Sequence, residues 1–285
     1  MNKHRLLSIC LVSLLAAQQD FVGEVFDRGS VNFTDRTIQA TGLGFIPENV
    51  INAGQARRAA MRIAKQDALR QLIEIVNGVN VTSETTVSGA TFDDMIKTQV
   101  QGAIRGARQV GDPRYLSDTS VEVVYEVSMN NISQVLLPMA AAPPIAAGTV
   151  ATAPVLSQTA PSPSAVAPAP ASGGITGIII DGTGLGLRPA MSPRILNQNG
   201  SVVYGPGQYS RDYAAANGVV GYAKSLEKAQ ADSRVQGNPM VFRAASASGT
   251  ASADLVISNV DAGKVSNADN TAGVLKNCRV MFVLD

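Results

Sequence analysis

Residues 52–87, NAGQARRAAMRIAKQDALRQLIEIVNGVNVTSETTV, decide how the chain folds. The stretch predicts one long helix running into one strand. Asn52 is placed to cap the helix, and Gln55 three positions on completes a capping-box pattern. Met61, Ala64, Ala68, Leu72 and Ile75 recur at helical spacing and form one apolar stripe. Asp67, Arg70 and Glu74 lie opposite, at offsets where unlike charges pair. Asn77-Gly78 offers a left-handed stop, and Val79 to Thr82 then alternates like a half-buried strand. The stripe is mostly alanine, so whatever packs on it approaches closely. It is a scaffold and groups no reactive side chains.

The elements around this helix predict an α+β fold. Residues 18–33 read as an arm or a first edge strand. Arg36 to Ile46 reads as a strand that Pro47 ends, with Gly42 and Gly44 either bulging it or admitting a neighbour. A second helix starts at the Thr91 cap with Asp94 closing the box. It places Phe92, Met95, Ile96, Val100 and Ala103 on one face and Asp93, Lys97 and Gln101 on the other. Residues 107–116 and 120–129 form a hairpin around Ser117-Asp118-Thr119, with Val121, Val123, Tyr125, Val127 and Met129 alternating against Glu122, Glu126 and Ser128. The order β-α-β-α-β-β lays two helices on a small, mostly antiparallel sheet.

From 139 to 174 the composition shifts to Ala, Pro, Ser, Thr, Val and Gly without a single charge. Such a segment favours extended, polyproline-like chain and reads as a semi-stiff tether. The expected organisation is therefore a leader at 1–17, a first domain at 18–138, the linker at 139–174 and a second α+β or α/β domain at 175–285. In that second domain GITGIII opens a strand, and Ile195-Leu196 with Val202 to Tyr204 makes a hairpin around Asn197 to Gly200. Tyr213 to Ala231 is a broken helix with Tyr222, Leu226 and Ala229 on one side. Met240–Ala247 and Asp254–Ser258 are strands, polar helix or loop follows to Asn277, and CRVMFVLD closes as a buried strand.

The 285 residues suffice for two cores. A net charge of +1 argues against nucleic acid. With 5% aromatics and no Trp, stacking platforms have little support. The N-terminus carries Lys3, His4 and Arg5, then the short apolar run Leu6 to Ala17 ending in small residues, the pattern of an export signal. No later segment is long enough to span a bilayer. Cys10 lacks the small residue before it that lipid attachment requires.

Removal of that leader has a chemical consequence. The only histidine, His4, and one of two cysteines, Cys10, leave with it. The mature chain keeps Cys278 alone, which removes Ser-His-Asp and Cys-His catalysis, histidine metal sites and an internal disulfide. No catalytic, cofactor or metal residue is assigned. Only carboxylate acid–base chemistry is left open.

Four motifs bear weighing. Asp181 to Gly186 (DGTGLG) follows a strand as a dinucleotide loop would, but the third glycine position holds Leu187, and Pro189 and Pro193 block the helix. Gly182, Gly184, Gly186 and Arg188 are read as a loop that could contact a ligand. Ser225-Leu226-Glu227-Lys228 matches Ser-x-x-Lys without its companion motifs and reads as surface helix. Glu122 and Glu126 share a strand face that reads as solvated. Arg57, Arg58, Arg62 and Lys65 make a basic patch, either a solvated flank or a contact for an acidic partner or lipid head group. Cys278 reads as a core thiol.

Several runs together bring a family into view: Ala40 to Gly44, Ala56 to Ala60, Asp67 to Leu72, Gly78, Ser83 to Val87, Gly102-Ala103 and Val123-Tyr125-Val127. Residues 39–130 resemble the N-terminal domain of the flagellar assembly protein T and the related outer-membrane lipoproteins of the flagellar protein P type. The resemblance implies an α+β building block of the periplasm or outer membrane, assembling into rings or disks, with no catalytic residues to carry over. The expectation is thus an exported, non-enzymatic assembly protein that homo-oligomerises or docks onto an envelope complex. A peptidoglycan- or ligand-binding module using the Gly182–Pro193 loop is the alternative, and a carboxylate-based hydrolase comes third.

Overall fold

The computed structural model describes residues 21–46, 52–90, 94–117, 120–140 and 174–285. The expected leader and nearly all of the expected linker lie outside them, as do Thr91, Phe92, Asp93 and the turn residues Asp118 and Thr119. The chain is a mixed α+β protein, with seven helices and three sheets among the described residues.

The long helix α1 (Ala53–Gly78) forms as its sequence requires. Asn52 caps it, its Oδ1 accepting the Gly54 amide at 2.8 Å. The buried face is more regular than the predicted stripe. Ala56, Ala60, Ala64, Ala68, Leu72 and Val76 repeat every fourth residue, Ile75 joins them, and Met61 is only half-buried. Four alanines in a row bring the backbone of α1 close to a sheet. Its five strands run β1-β2-β3-β5-β4, all antiparallel: β1 (Gly23–Phe26), β2 (Gly29–Asn32), β3 (Thr37–Gly44), β4 (Arg108–Tyr115) and β5 (Val121–Ser128). The approach is so close that a Cβ on Gly42 would lie 2.0 Å from the Ala64 carbonyl, and one on Gly44 1.9 Å from that of Ala60. Of the two expected roles for these glycines, admitting a neighbour is the one they have. Asp67, half-buried, fixes the register by accepting the Leu43 amide at 3.0 Å and pairing with Arg28.

Several expectations are corrected here. Residues 21–33 form a hairpin and not one edge strand. Gly78 ends α1 inside the helix, with Val79 extended after it, so Asn77-Gly78 makes no left-handed turn. Residues 79–86 form no strand, only the single bridge Asn80–Thr86, followed by the short helix α2 (Val87–Ala90). Their alternation is still meaningful, because Val79 and Val81 are buried. In α3 (Asp94–Arg105), Val100 and Ile104 face inward while Met95 is 67% exposed. Met129 does not end a strand. It begins α4 (Met129–Ala140), whose Ile132, Leu136 and Leu137 are buried.

After residue 174 the chain builds two four-stranded sheets. The first, in order β10-β6-β13-β9, is entirely parallel: β6 (Ile178–Asp181), β9 (Gly221–Ala223), β10 (Met240–Arg243) and β13 (Val280–Val283). Ile178, Ile180, Val280 and Phe282 point to the main core. Ile179, Met281 and Val283 point the other way with Ala229 of helix α6 (Leu226–Ala231). Burial on both faces explains their unbroken apolar sequences. The second sheet, β11-β12-β7-β8, joins β7 (Ile195–Asn197), β8 (Val202–Tyr204), β11 (Ser246–Ser248) and β12 (Asp254–Ile257). The β7–β8 hairpin is the predicted one. The broken helix is not one element: α5 (Arg211–Asn217), strand β9 carrying Tyr222, and α6 replace it. Likewise 240–247 covers β10 and the start of β11, on different sheets, and α7 (Asn259–Ala272) fills the polar stretch.

The two halves are not separate beads. One apolar cluster runs from Val22 to Leu284 without interruption.

Candidate functional site

The junction of the halves is where this structure concentrates its polar chemistry. The segment after α1 docks its main chain onto the second half: Met191 and Ser192 donate amides to the Asn80 and Val81 carbonyls at 2.9 and 2.7 Å. The Ala251 amide reaches the Ser83 carbonyl at 2.8 Å. Beneath these bonds lies a buried polar cluster. The fully buried Asp254 carboxylate accepts the Ser83 hydroxyl at 2.5 Å, the Arg194 amide at 2.7 Å and the Arg194 guanidinium at 2.6 and 2.8 Å. Both oxygens are bonded, Oδ2 three times and Oδ1 once, and such pairing is what lets a carboxylate sit in a core. Phe33 meets Tyr222 edge-on at 5.7 Å across the same seam.

A cleft of about 580 Å³ opens at one end of this junction. Glu24, Phe26, Asp27 and Arg28 of the first hairpin, Gln71, Glu74 and Ile75 of α1, and Arg188 of the second half line it. Arg188 therefore does reach a cavity, bonded to Glu24 at 2.8 Å. The glycines predicted beside it do not. Gly184 and Gly186 take positive φ, but the loop is tied shut. Asp181 accepts the Thr183 amide and hydroxyl at 3.0 and 2.6 Å and pairs with Arg243 at 2.6 Å, while Gly184 donates to Asp285 at 2.8 Å. Gly182 is packed under Leu255, Val283 and Leu187.

The predicted basic patch is exposed and splits by function. Arg57 lies over the Tyr115 ring at 5.4 Å and Lys65 over Tyr125 at 5.7 Å, so both lean onto the sheet. Arg58 and Arg62 point outward and make no ion pair among the described residues. No acidic residue occupies the first turn of α1.

Three half-buried or buried carboxylates are held by donors that favour their charged form. Burial alone would raise Glu126. Bonds from Gln39 and Arg108, the latter at 2.6 Å, hold it below its ordinary range, and Glu122 pairs with Arg114 at 2.8 Å. Asp181 and Asp67 are likewise lowered, against burial, by their amide and arginine donors. Among the described residues no group of His, Cys, Asp and Glu has the makings of a metal site. Ser225 of the Ser-x-x-Lys motif is the α6 cap, accepting the Lys228 amide. Cys278 is buried, with burial pushing its thiol up. Sequence reasoning passed over Ser83, Arg194, Asp254, Arg36 and Arg234. Their partners lie far off in the chain, and no local pattern marks them.

The fold and junction thus define a two-part α+β protein with a wedged interface. Residues 177–285 are similar to a family described as Treponema pallidum Tp0624, second domain, a match that covers less than half of the 285 residues. No curated protein matches the chain. No helix among the described residues is long and apolar enough to cross a membrane.

Proposed function

We propose that this chain is an exported, non-enzymatic assembly protein of a bacterial cell envelope, a part of or a dock for a flagellar-motor-like ring or another outer-membrane-associated complex. The observation that carries this reading is the pair of edges on the first sheet that pair with no further strand among the described residues. β1 ends one side with Val25 76% and Phe26 42% exposed, and β4 ends the other with Tyr115 59% exposed. Open edges carrying apolar side chains invite pairing with a further chain. Phe45, 60% exposed, follows the end of β3. There Arg57 covers Tyr115, and Arg58 and Arg62 extend the basic face along α1. Aromatic and arginine side chains on one surface are the composition of protein interfaces.

The second reading is a ligand- or peptidoglycan-binding module, favoured by the 580 Å³ cleft at Arg188. Sedimentation of the full chain separates the two. Assembly predicts concentration-dependent oligomers that Arg58→Glu with Arg62→Glu weakens. A strict monomer whose cleft binds muropeptide favours the second reading. Cross-linking in intact cells that recovers only cytoplasmic partners would end the exported-assembly reading.

A further inference from the structure

Two arginines from opposite halves converge on one helix end. Arg36, in the turn before β3, donates through Nη1 to the Ala216 carbonyl at 2.9 Å. Arg234 donates through Nη1 to the Gly218 and Cys278 carbonyls at 3.0 and 2.8 Å, and through Nη2 to the Asn217 carbonyl. Ala216 to Gly218 close α5, so both cations sit at the negative end of a short helix. Among the described residues neither arginine has a carboxylate within ion-pair distance.

The arrangement carries costs. Arg36 holds φ +56°, and Cys278, whose carbonyl Arg234 grips, holds φ +49°, two of three such non-glycine residues described. Left-handed backbone is strained at such residues, and such strain clusters at binding and switch sites. Burial first, and then the like charge of Arg234, pull the Arg36 guanidinium down to about 10. The negative charge of a bound anion would oppose both effects and favour the charged guanidinium.

A cavity of about 290 Å³ lies beside the pair. Thr34, Tyr213, Ser233 and Asn217 line it, with the Thr34 oxygen accepting the Val22 amide at 3.0 Å and the Asn217 amide donating to the Tyr213 carbonyl at 3.2 Å. Asp232 also lines it, but its Oδ1 is engaged by the Arg234 amide at 2.8 Å. Arg36 spends one of its five donors on a carbonyl, so its remaining N–H groups have no protein acceptor among the described residues. We propose that this interdomain pocket binds an oxyanion, a phosphate or carboxylate group clamped between Arg36 of the first half and Arg234 of the second. Because the ligand touches both halves, it tightens their docking, and bound anion and folded interface stabilise each other. Fork-shaped guanidinium groups suit both ligand types.

The test uses the full chain and two probes, inorganic phosphate and malonate, against chloride at matched ionic strength. Thermal unfolding is followed by circular dichroism, and binding by calorimetry. The expected result is a saturable rise in melting temperature with at least one probe, the stronger probe naming the ligand class. Arg36→Gln is expected to weaken apparent binding at least tenfold while leaving the fold intact, since it removes one carbonyl bond. Ser233→Glu, on the exposed rim, supplies its own carboxylate. It is expected to raise the melting temperature in chloride and to abolish the response to either probe. Equal, non-saturating shifts in wild type and both variants would mean a general salt effect and overturn the proposal, as would no response to either anion.

Discussion

Asp254→Ala removes the buried carboxylate that ties Ser83 of the first half to Arg194 of the second. The carboxylate is fully buried and holds Ser83, the Arg194 amide and the Arg194 guanidinium at 2.5–2.8 Å. Its removal leaves the Arg194 charge unpaired and one buried amide without an acceptor. Breaking a buried pair in this way costs roughly 3–5 kcal/mol. The Arg194 side chain is 32% exposed and recovers some hydration, so the lower end applies, about 3 kcal/mol. Urea unfolding of the full chain measures it. Because Ser83 donates from the other half of the molecule, Ser83→Ala should couple to Asp254→Ala. A double-mutant cycle is expected to return about 1 kcal/mol or more of interaction. Additivity to within about 0.5 kcal/mol would mean that this contact does not bind the halves, and the account of a continuous core would lose its polar anchor.

Gly44→Ala drives a Cβ to 1.9 Å from the Ala60 carbonyl and should lower stability by about 1–3 kcal/mol or more, read as a drop in urea midpoint. Gly102→Ala, on α3 with nothing within 4 Å, should instead raise it by about 0.5–1 kcal/mol. Asp67, Glu126, Asp181 and Asp261 have carboxyls held below their ordinary values. Their contribution is complete above the unfolded range near about pH 4 and is lost as pH falls through the lower folded values. The urea midpoint is therefore expected to drop on acidification below about pH 4, and Asp67→Asn to flatten part of that drop. Cleavage at a protease site placed within residues 141–173 should leave the two pieces co-eluting on gel filtration. Separation at micromolar concentration would show that the tether, and not the interface, holds them.

The reading of α1 from sequence succeeds because a helix's apolar face repeats locally. Alanine every fourth residue and two glycines in one strand are complementary statements, each visible within ten positions. Short strands inside apolar surroundings are a harder case. Tyr222 fits a helical pattern as well as it fits β9, and only the neighbouring Phe282 on β13 decides. The alternation at 79–82 was legible as half-buried chain. Its partner was not, because the bonds go to Met191 and Ser192 and not to a neighbouring strand.

The amino-acid order alone determined the capped alanine helix, the glycine-bearing strand beneath it, the hairpins at 107–129 and 195–204 and the uncharged run between two folded parts. These follow from periodicity, capping and turn chemistry, which act over a few residues. Tertiary structure alone decided that the two parts close on a common core. It also placed Ser83 on Asp254, opened a cleft at Arg188, and set Arg36 beside Arg234. Desolvation and charge are properties of whatever surrounds a group, and the chain brings that surrounding from both sides of the linker.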